Sequence, residues 1–350
     1  RQAEMYLSAA VAAGPGNTLA RRLLAETRLA LNKAEAARQA LEPLTSGAST
    51  DTVSLSMAAA ASLRLGEVDV AVELLERGVV ADPASVDLKM RLAIAYFKNG
   101  QLDEVRRVVD SMPDISGESN EFQRDLLLVF TQMADGNREE ALEEARLLQE
   151  KWPDRADAHS VAGSVELATD DFQAARASFN RGLEVAPGDT RLLHYLAALD
   201  VAEDDFQSAH DRYLTILELK PDDALAMVSL AKLSVRAEDQ DAALGWLEKA
   251  RDADANSVTA RAMLAYLKLR LGDFESAEEV AKEAVALDDD NAQLHNMLGL
   301  AQYFGENYGD AKYSLARAAN LNPDEPIYAF NLARAQIADG DTPSALITLE

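Results

Sequence analysis

One small apolar residue returns along this chain at a fixed interval. It stands at Ala3, Ala37 and Ala71, and again at Ala141, Ala175, Ala209, Ala243, Ala277, Ala311 and Ala345, each 34 residues after the last within its run. Val105 fills the gap, 34 residues after Ala71 and 36 before Ala141. A second column runs twelve residues ahead of the first: Ala25, Ala59, Ala93, Val129, Gly163, Ala197, Ala231, Ala265, Gly299 and Ala333. A leucine stands just before many of these, at Leu24, Leu92, Leu128, Leu196, Leu230, Leu264, Leu298 and Leu332. Two helices bring their axes close only where small side chains sit at the crossing. Paired small residues twelve apart, flanked by large ones, therefore predict a helical hairpin whose helices cross near their middles.

The punctuation agrees. Polar pieces such as Leu65-Gly66-Glu67, Lys98-Asn99-Gly100, Ala134-Asp135-Gly136 and Leu271-Gly272-Asp273 fall between the two helices, where glycine tolerates the left-handed conformation that ends a helix. Pro15, Pro83, Pro153, Pro187, Pro221 and Pro323 mark the boundary between hairpins, with Ser49, Ala255 and Asp289 in register. The prediction is an all-α chain with repeats at 18–51, 52–85, 86–121, 122–155, 156–189, 190–223, 224–257, 258–291 and 292–325. A lone second helix occupies 1–17 and most of a tenth unit begins at 326.

This pattern resembles the tetratricopeptide repeat family, whose 34-residue helix–turn–helix carries small residues at its eighth and twentieth positions and Pro at its thirty-second. The resemblance covers the whole chain and implies a right-handed superhelical solenoid of antiparallel hairpins. It departs from the family at the first-helix aromatic, supplied only by Tyr96; Phe172, Phe206, Phe274 and Tyr308, early in the second helices, are expected to do part of that packing. The stretch from Met112 to Asn120 carries two extra residues and turn-forming composition. It reads either as a joint between an N-terminal array (18–121) and a C-terminal one (122–350) or as an ordinary longer loop.

Composition narrows the function classes. Hydrophobic residues make up 48% but aromatics only 6%, so the apolar content is mainly Ala and Leu, which favour helix. The formal charge of −26 repels phosphate backbones and disfavours nucleic-acid binding, while keeping a long scaffold in solution. The absence of cysteine excludes disulfides, thiolate zinc sites and cysteine nucleophiles, and fits either a reducing or an oxidising compartment. No run of 18 apolar residues is available to span a membrane. The chain opens on Arg1 and closes in the helical run Leu346–Glu350, as expected of a segment of a longer protein.

No reactive constellation emerges, so neither catalysis, a cofactor nor a metal is expected. His159, His194, His210 and His295 lack partners at metal-ligand spacing; His159 and His295 share one repeat position, which points to packing. Asp252-Ala253-Asp254-Ala255-Asn256 imitates the start of a calcium loop, but Ser257 stands where glycine is needed and Met263 where glutamate is needed. With Asp288-Asp289-Asp290 one repeat later, these acids are better explained as helix caps. Gly14-Pro15-Gly16 is a boundary turn.

A stack of hairpins leaves one face of the first helices free to line a groove. By helical angle that face holds the second, fifth, ninth and thirteenth positions of each repeat. There stand Arg191, Lys232, Arg236, Tyr266, Arg270, Asn296, Phe304, Phe330 and Arg334, a set expected to grip a protein or peptide partner with acidic groups. The Lys/Asn set with which chaperone-binding members of the family clamp a C-terminal carboxylate is not reproduced by Ser160, Ser164, His194 and Ala198, so that role is not carried over. A second candidate surface is the aromatic cluster Tyr303, Phe304, Tyr308, Tyr313, Tyr328 and Phe330.

Two stretches, Gln123-Arg124-Asp125-Leu126-Leu127-Leu128-Val129 and Leu244-Gly245-Trp246-Leu247-Glu248-Lys249-Ala250, resemble the large tetratricopeptide lipoprotein of the bacterial exosortase (PEP-CTERM) sorting system. That resemblance implies a periplasmic scaffold, lipid-anchored outside this segment and associated with protein sorting and exopolysaccharide production. The alternatives are a periplasmic scaffold of a polysaccharide export machine and a cytoplasmic assembly adaptor.

Overall fold

The computed structural model describes residues 1–112 and 117–350, and these form twenty-one helices and no strand. They divide into two compact units, Arg1–Val185 and Ala186–Glu350. The first unit holds α1 (Gln2–Ala13), α2 (Thr18–Ala30), α3 (Ala34–Thr45), α4 (Thr52–Leu65), α5 (Val68–Ala81), α6 (Val86–Lys98), α7 (Leu102–Asp110), α8 (Glu118–Asp135), α9 (Arg138–Lys151), α10 (Ala156–Ala168) and α11 (Phe172–Val185). The second holds α12 (Thr190–Ala202), α13 (Phe206–Leu219), α14 (Ala224–Arg236), α15 (Gln240–Ala253), α16 (Val258–Leu271), α17 (Phe274–Leu287), α18 (Ala292–Phe304), α19 (Tyr308–Leu321), α20 (Pro326–Ala338) and α21 (Thr342–Leu349).

Nine of the ten first helices begin at the first residue of the repeat read from sequence; α8 is the exception. Glu118, Ser119 and Asn120 are helical there rather than loop, with Glu118 and Glu121 in the first turn, where acids complement the helix dipole. The preceding α7 is correspondingly short. Of the irregular stretch, residues 113–116 lie outside the described residues. Asn17, Asp51, Ser85, Asp189, Asp223, Ser257 and Asn291 each accept a backbone N–H at the start of a first helix, which fixes these boundaries.

Both small-residue columns are buried at the helix crossings. Apart from the exposed Ala3, every alanine of the two columns is at most 2% exposed. Leu24, Leu92, Leu196, Leu264 and their equivalents fill the space beside them, each contributing about 1.5–3 kcal/mol by burial. Glycine replaces alanine where the opposing side chain intrudes farthest. A Cβ on Gly163 would lie 2.4 Å from Phe179 Cε1, and one on Gly299 would lie 2.5 Å from Leu315 Cγ. At these two crossings the α10/α11 and α18/α19 hairpins leave no room for a methyl group.

The space of the missing first-helix aromatic is filled differently from expectation. Polar residues of the first helix bond to the second helix of the same hairpin: Arg212 Nε donates to Asp200 Oδ2 at 2.7 Å, Ser314 Oγ to Gln302 Oε1 at 2.7 Å, and Thr348 Oγ1 to Gln336 Oε1 at 2.9 Å. Tyr96 is the aromatic exception; burial and the Glu76 carboxylate that accepts its hydroxyl push its pKa up. The early second-helix aromatics do not occupy this space. Phe172 is exposed, and Phe206, Phe274 and Tyr308 lie half-buried at the hairpin turns. At the same first-helix position, Glu166 is buried with one carboxylate oxygen lacking a hydrogen bond, and burial raises its pKa.

Every hairpin turn uses a left-handed residue at the repeat's fifteenth position. Glycine serves at Gly66, Gly100, Gly136, Gly272 and Gly340, but Asn32, Asp170, Asp204, Glu238 and Glu306 take the same conformation with φ between 57° and 63°.

Two outcomes are expected. Gly163→Ala drives a methyl into the buried Phe179 ring and should destabilise unit 1 by about 1–3 kcal/mol in urea unfolding. Adding Phe179→Leu should restore part of the loss, and additive losses would exclude this contact as the cause. For Glu166, the folded chain keeps the proton to higher pH than the unfolded chain. Its destabilising effect is thus absent below the ordinary carboxylate range and grows as pH rises through it. Glu166→Gln should therefore raise Tm at neutral pH by roughly 2–4 °C, and the gain should fade near pH ~4. A gain equal at both pH values would exclude the charge.

Candidate functional site

In each unit the first helices of successive hairpins approach one another directly, as α14 does α16, α16 does α18 and α18 does α20 in unit 2; no two second helices are comparably close among the described residues. The first helices therefore line the inner face. Their fourth positions are spent on the scaffold. His159 Nε2 lies 2.8 Å from the Pro153 carbonyl oxygen and His295 Nε2 lies 2.9 Å from that of Asp289, while Arg21 and Arg261 donate to Pro15, Asp254 and Ser257 carbonyls. Each ties a first helix to the boundary turn before it, which accounts for both buried histidines.

The second, fifth, ninth and thirteenth positions face the groove. In unit 2 these four positions on five helices include Arg191, Lys232, Arg236, Arg270 and Arg334 and not one Asp or Glu, in a chain with 60 acidic residues against 34 basic ones. The corresponding positions of unit 1 mix the signs, with Glu26, Asp87 and Asp157 beside Arg22, Arg64 and Lys98. The basic strip is thus confined to unit 2.

The structure distributes the expected residues over three places. Arg191 turns back to Asp189, 2.8 Å away, at the entry to α12. Lys232 and Arg236 border a cavity of about 460 Å³ floored by Phe206, Leu233, Tyr213 and Ser229. There the Arg236 guanidinium lies 4.0 Å above the Phe206 ring and 3.4 Å from Asp204. Farther along, Arg270 lies 5.9 Å from the Tyr266 ring. At the last hairpins Arg334 is surrounded by Tyr303, Phe304 and Phe330 at 4.8, 5.9 and 5.8 Å. Phe304 in turn stacks on Phe274 at 5.6 Å. Asn296 accepts a hydrogen bond from Asn331 at 2.9 Å and joins α18 to α20.

Lys232, Arg270 and Arg334 have neither an ion pair nor a hydrogen bond among the described residues. For an arginine held against rings this matters: the aromatic faces hold the guanidinium plane, and its N–H edge stays available for a carboxylate. His194 is not part of such a set. It reaches Asp223, the cap of α14, at 3.2 Å; burial opposes ionisation of Asp223, but the Ala226 N–H, Lys220 and His194 outweigh it and hold the carboxyl below its usual range.

Sequence reasoning missed Phe206, Phe274 and Tyr303 as groove residues. For Phe206 and Phe274 the signal was present, since a second-helix aromatic at the turn lies beside the thirteenth position of the next hairpin; Tyr303 stands on the first helix α18, beside Arg334. Of the proposed aromatic cluster, Tyr303, Phe304, Tyr308 and Phe330 gather with Arg334, whereas Tyr313 and Tyr328 make no ring contact among the described residues. Among those residues no group of three or more His, Asp or Glu is arranged to hold a metal. The acidic runs after α15 and α17 are not the first-helix caps, which are Ser257 and Asn291. Asp254 accepts from the Asn256 N–H, and Asp288 from the Asn291 side chain. No described helix is long and apolar enough to cross a membrane.

Two family models, both described as tetratricopeptide repeat, match this chain. One matches residues 62–124 and 234–301; the other matches 131–190, 196–258 and 297–350, just over half of the sequence. No curated protein matches it. Among solved structures, a tetratricopeptide repeat protein from Parabacteroides merdae aligns with a TM-score of 0.50 at 18% identity, covering 72% of this chain and 98% of its own. The APC/C hetero-tetramer Cut9–Hcn1 gives 0.49 at 15%, covering 91% of this chain and 64% of that one. YrrB, described as a TPR protein with an unusual peptide-binding site, gives 0.45 at 18%, covering 54% and 97%. At these identities the likeness concerns the fold alone. With its 34-residue hairpins and a family model matched over half its length, the chain belongs to the tetratricopeptide repeat family.

Proposed function

We propose that this chain is a non-catalytic scaffold whose unit 2 grips an extended, acidic segment of a partner protein along the inner face of its first helices. The family generally mediates protein–protein interaction, and the single observation that carries the finer reading is the acid-free strip with ring-held arginines. In an acid-rich chain a cation on an exposed face ordinarily finds a carboxylate nearby, as Arg317 does with Asp289 and Asp290. Arg270 and Arg334 do not, although each is oriented by aromatic contacts. A partner carboxylate would complete them, each charge-assisted hydrogen bond contributing about 1.5–3 kcal/mol.

The setting we propose is a bacterial envelope system for protein sorting and exopolysaccharide production, with the protein periplasmic and anchored by lipid outside this segment. Its support is the likeness of residues 123–129 and 244–250 to the exosortase-associated lipoprotein. Protection of the protein from external protease in intact spheroplasts would count against it and favour a cytoplasmic adaptor.

The binding reading is tested by fluorescence anisotropy with a labelled Glu-rich peptide. Arg270→Glu with Arg334→Glu should weaken binding at least ~10-fold, since two attractive contacts become repulsive. Arg317→Glu, outside the groove, should leave affinity unchanged. Equal affinity for all three proteins would refute the groove.

A further inference from the structure

We propose that the groove of unit 2 reads the spacing of its partner's acidic residues, and that the bound segment adopts the polyproline II conformation. The proposal rests on the acidic-partner reading above and adds a register and a backbone geometry to it.

The step of the scaffold sets the register. Arg236, Arg270 and Phe304 occupy the same, thirteenth position on α14, α16 and α18, so they stand one hairpin apart in series. Arg334 follows on α20, one helical turn nearer its start, with its guanidinium drawn toward the Phe304 ring at 5.9 Å. Adjacent packed helices lie about 8–10 Å apart. A polyproline II segment makes one turn in three residues and rises about 9.3 Å in doing so, which returns every third side chain to the same face. The two repeats therefore coincide. A β-strand offers no such match: its side chains alternate with period two, so residues three apart point to opposite sides.

The side chains then fix which third residues carry charge. Numbering the partner from the residue opposite Arg236, positions 1 and 4 face Arg236 and Arg270, position 7 faces Phe304, and position 10 faces Arg334. Positions 1, 4 and 10 are acidic and position 7 is apolar. At position 7 the stacked Phe274–Phe304 pair offers ring faces. The Arg236 site is the weakest of the three charged ones, because Asp204 already lies 3.4 Å from that guanidinium. The aromatic rings along the strip suit the pyrrolidine faces of a preformed polyproline II helix, which loses little backbone entropy on binding.

The test compares ten-residue labelled peptides on the full 350-residue chain by fluorescence anisotropy. The in-register peptide is Glu-Pro-Pro-Glu-Pro-Pro-Leu-Pro-Pro-Glu. Its isomer has the same composition with glutamates at positions 1, 3 and 8. A third peptide keeps the in-register Glu and Leu but replaces Pro by Gly and Ser. The expected result is binding of the first at least ~10-fold tighter than either of the others, with the advantage over the isomer lost in Arg270→Ala. Equal affinity of the first two overturns the register and leaves the acidic-partner reading standing. Preference for the Gly/Ser peptide overturns the polyproline II geometry and the register drawn from it, and leaves the acidic-partner reading standing. If none of the three binds, both this inference and the reading beneath it fail.

Discussion

The structure depends on one steric constraint: two helices of a hairpin cross where neither carries more than a methyl group or two. Ala25 with Ala37, Ala197 with Ala209 and Ala265 with Ala277 are all essentially without solvent exposure, and Gly163 and Gly299 serve where Phe179 and Leu315 reach across. Close approach lets the flanking leucines interdigitate, so each hairpin becomes a firm unit that buries its remaining apolar surface on its neighbours. Because cohesion is concentrated at the crossings and on the outer helices, the inner-facing positions of the first helices are released from structural duty. That release is what allows them to hold unpaired arginines and exposed rings.

Charge is arranged on top of that framework. The excess of acid favours keeping an alanine-rich chain dissolved, yet an acid placed in the groove of unit 2 would neutralise its cations. In unit 2 Asp and Glu stand at caps, turns and outer faces, and, in the case of Asp200, between the two helices of a hairpin. They are absent from the inner positions of α12, α14, α16, α18 and α20. The contrast with unit 1, where Glu26 and Asp87 face the equivalent surface, shows that this absence is not a general property of the repeat.

Nearly the whole framework was legible in the amino-acid sequence, because the crossing residues must be small in every hairpin and their spacing survives any choice at the surface. Helix starts followed from the same register. The early start of α8 did not, since turn-forming residues such as Gly117, Ser119 and Asn120 say nothing about where an acid-rich first turn will take over. The replacement of the family aromatic was illegible for a related reason. Asp200, Gln302 and Gln336 look like solvated positions in one dimension, and their pairing with Arg212, Ser314 and Thr348 becomes visible only in three. Of the inner face, the thirteenth-position residues were expected from helical angle alone. Phe206, which lies against Arg236, comes from a neighbouring hairpin, and Tyr303, which lies against Arg334, stands at the edge of the expected face, where a single-helix projection carries no information.

The left-handed turn residue has a consequence for how evenly the array holds together. A Cβ in that conformation costs about 1 kcal/mol, so hairpins turned by Asp204, Glu238 and Glu306 are each held a little less firmly than those turned by Gly272 and Gly340. In a linear array whose cohesion is summed from unit to unit, such differences do not average out; they set where fraying starts. Unit 2 therefore carries a graded rather than uniform resistance to local opening, lowest around α12–α15.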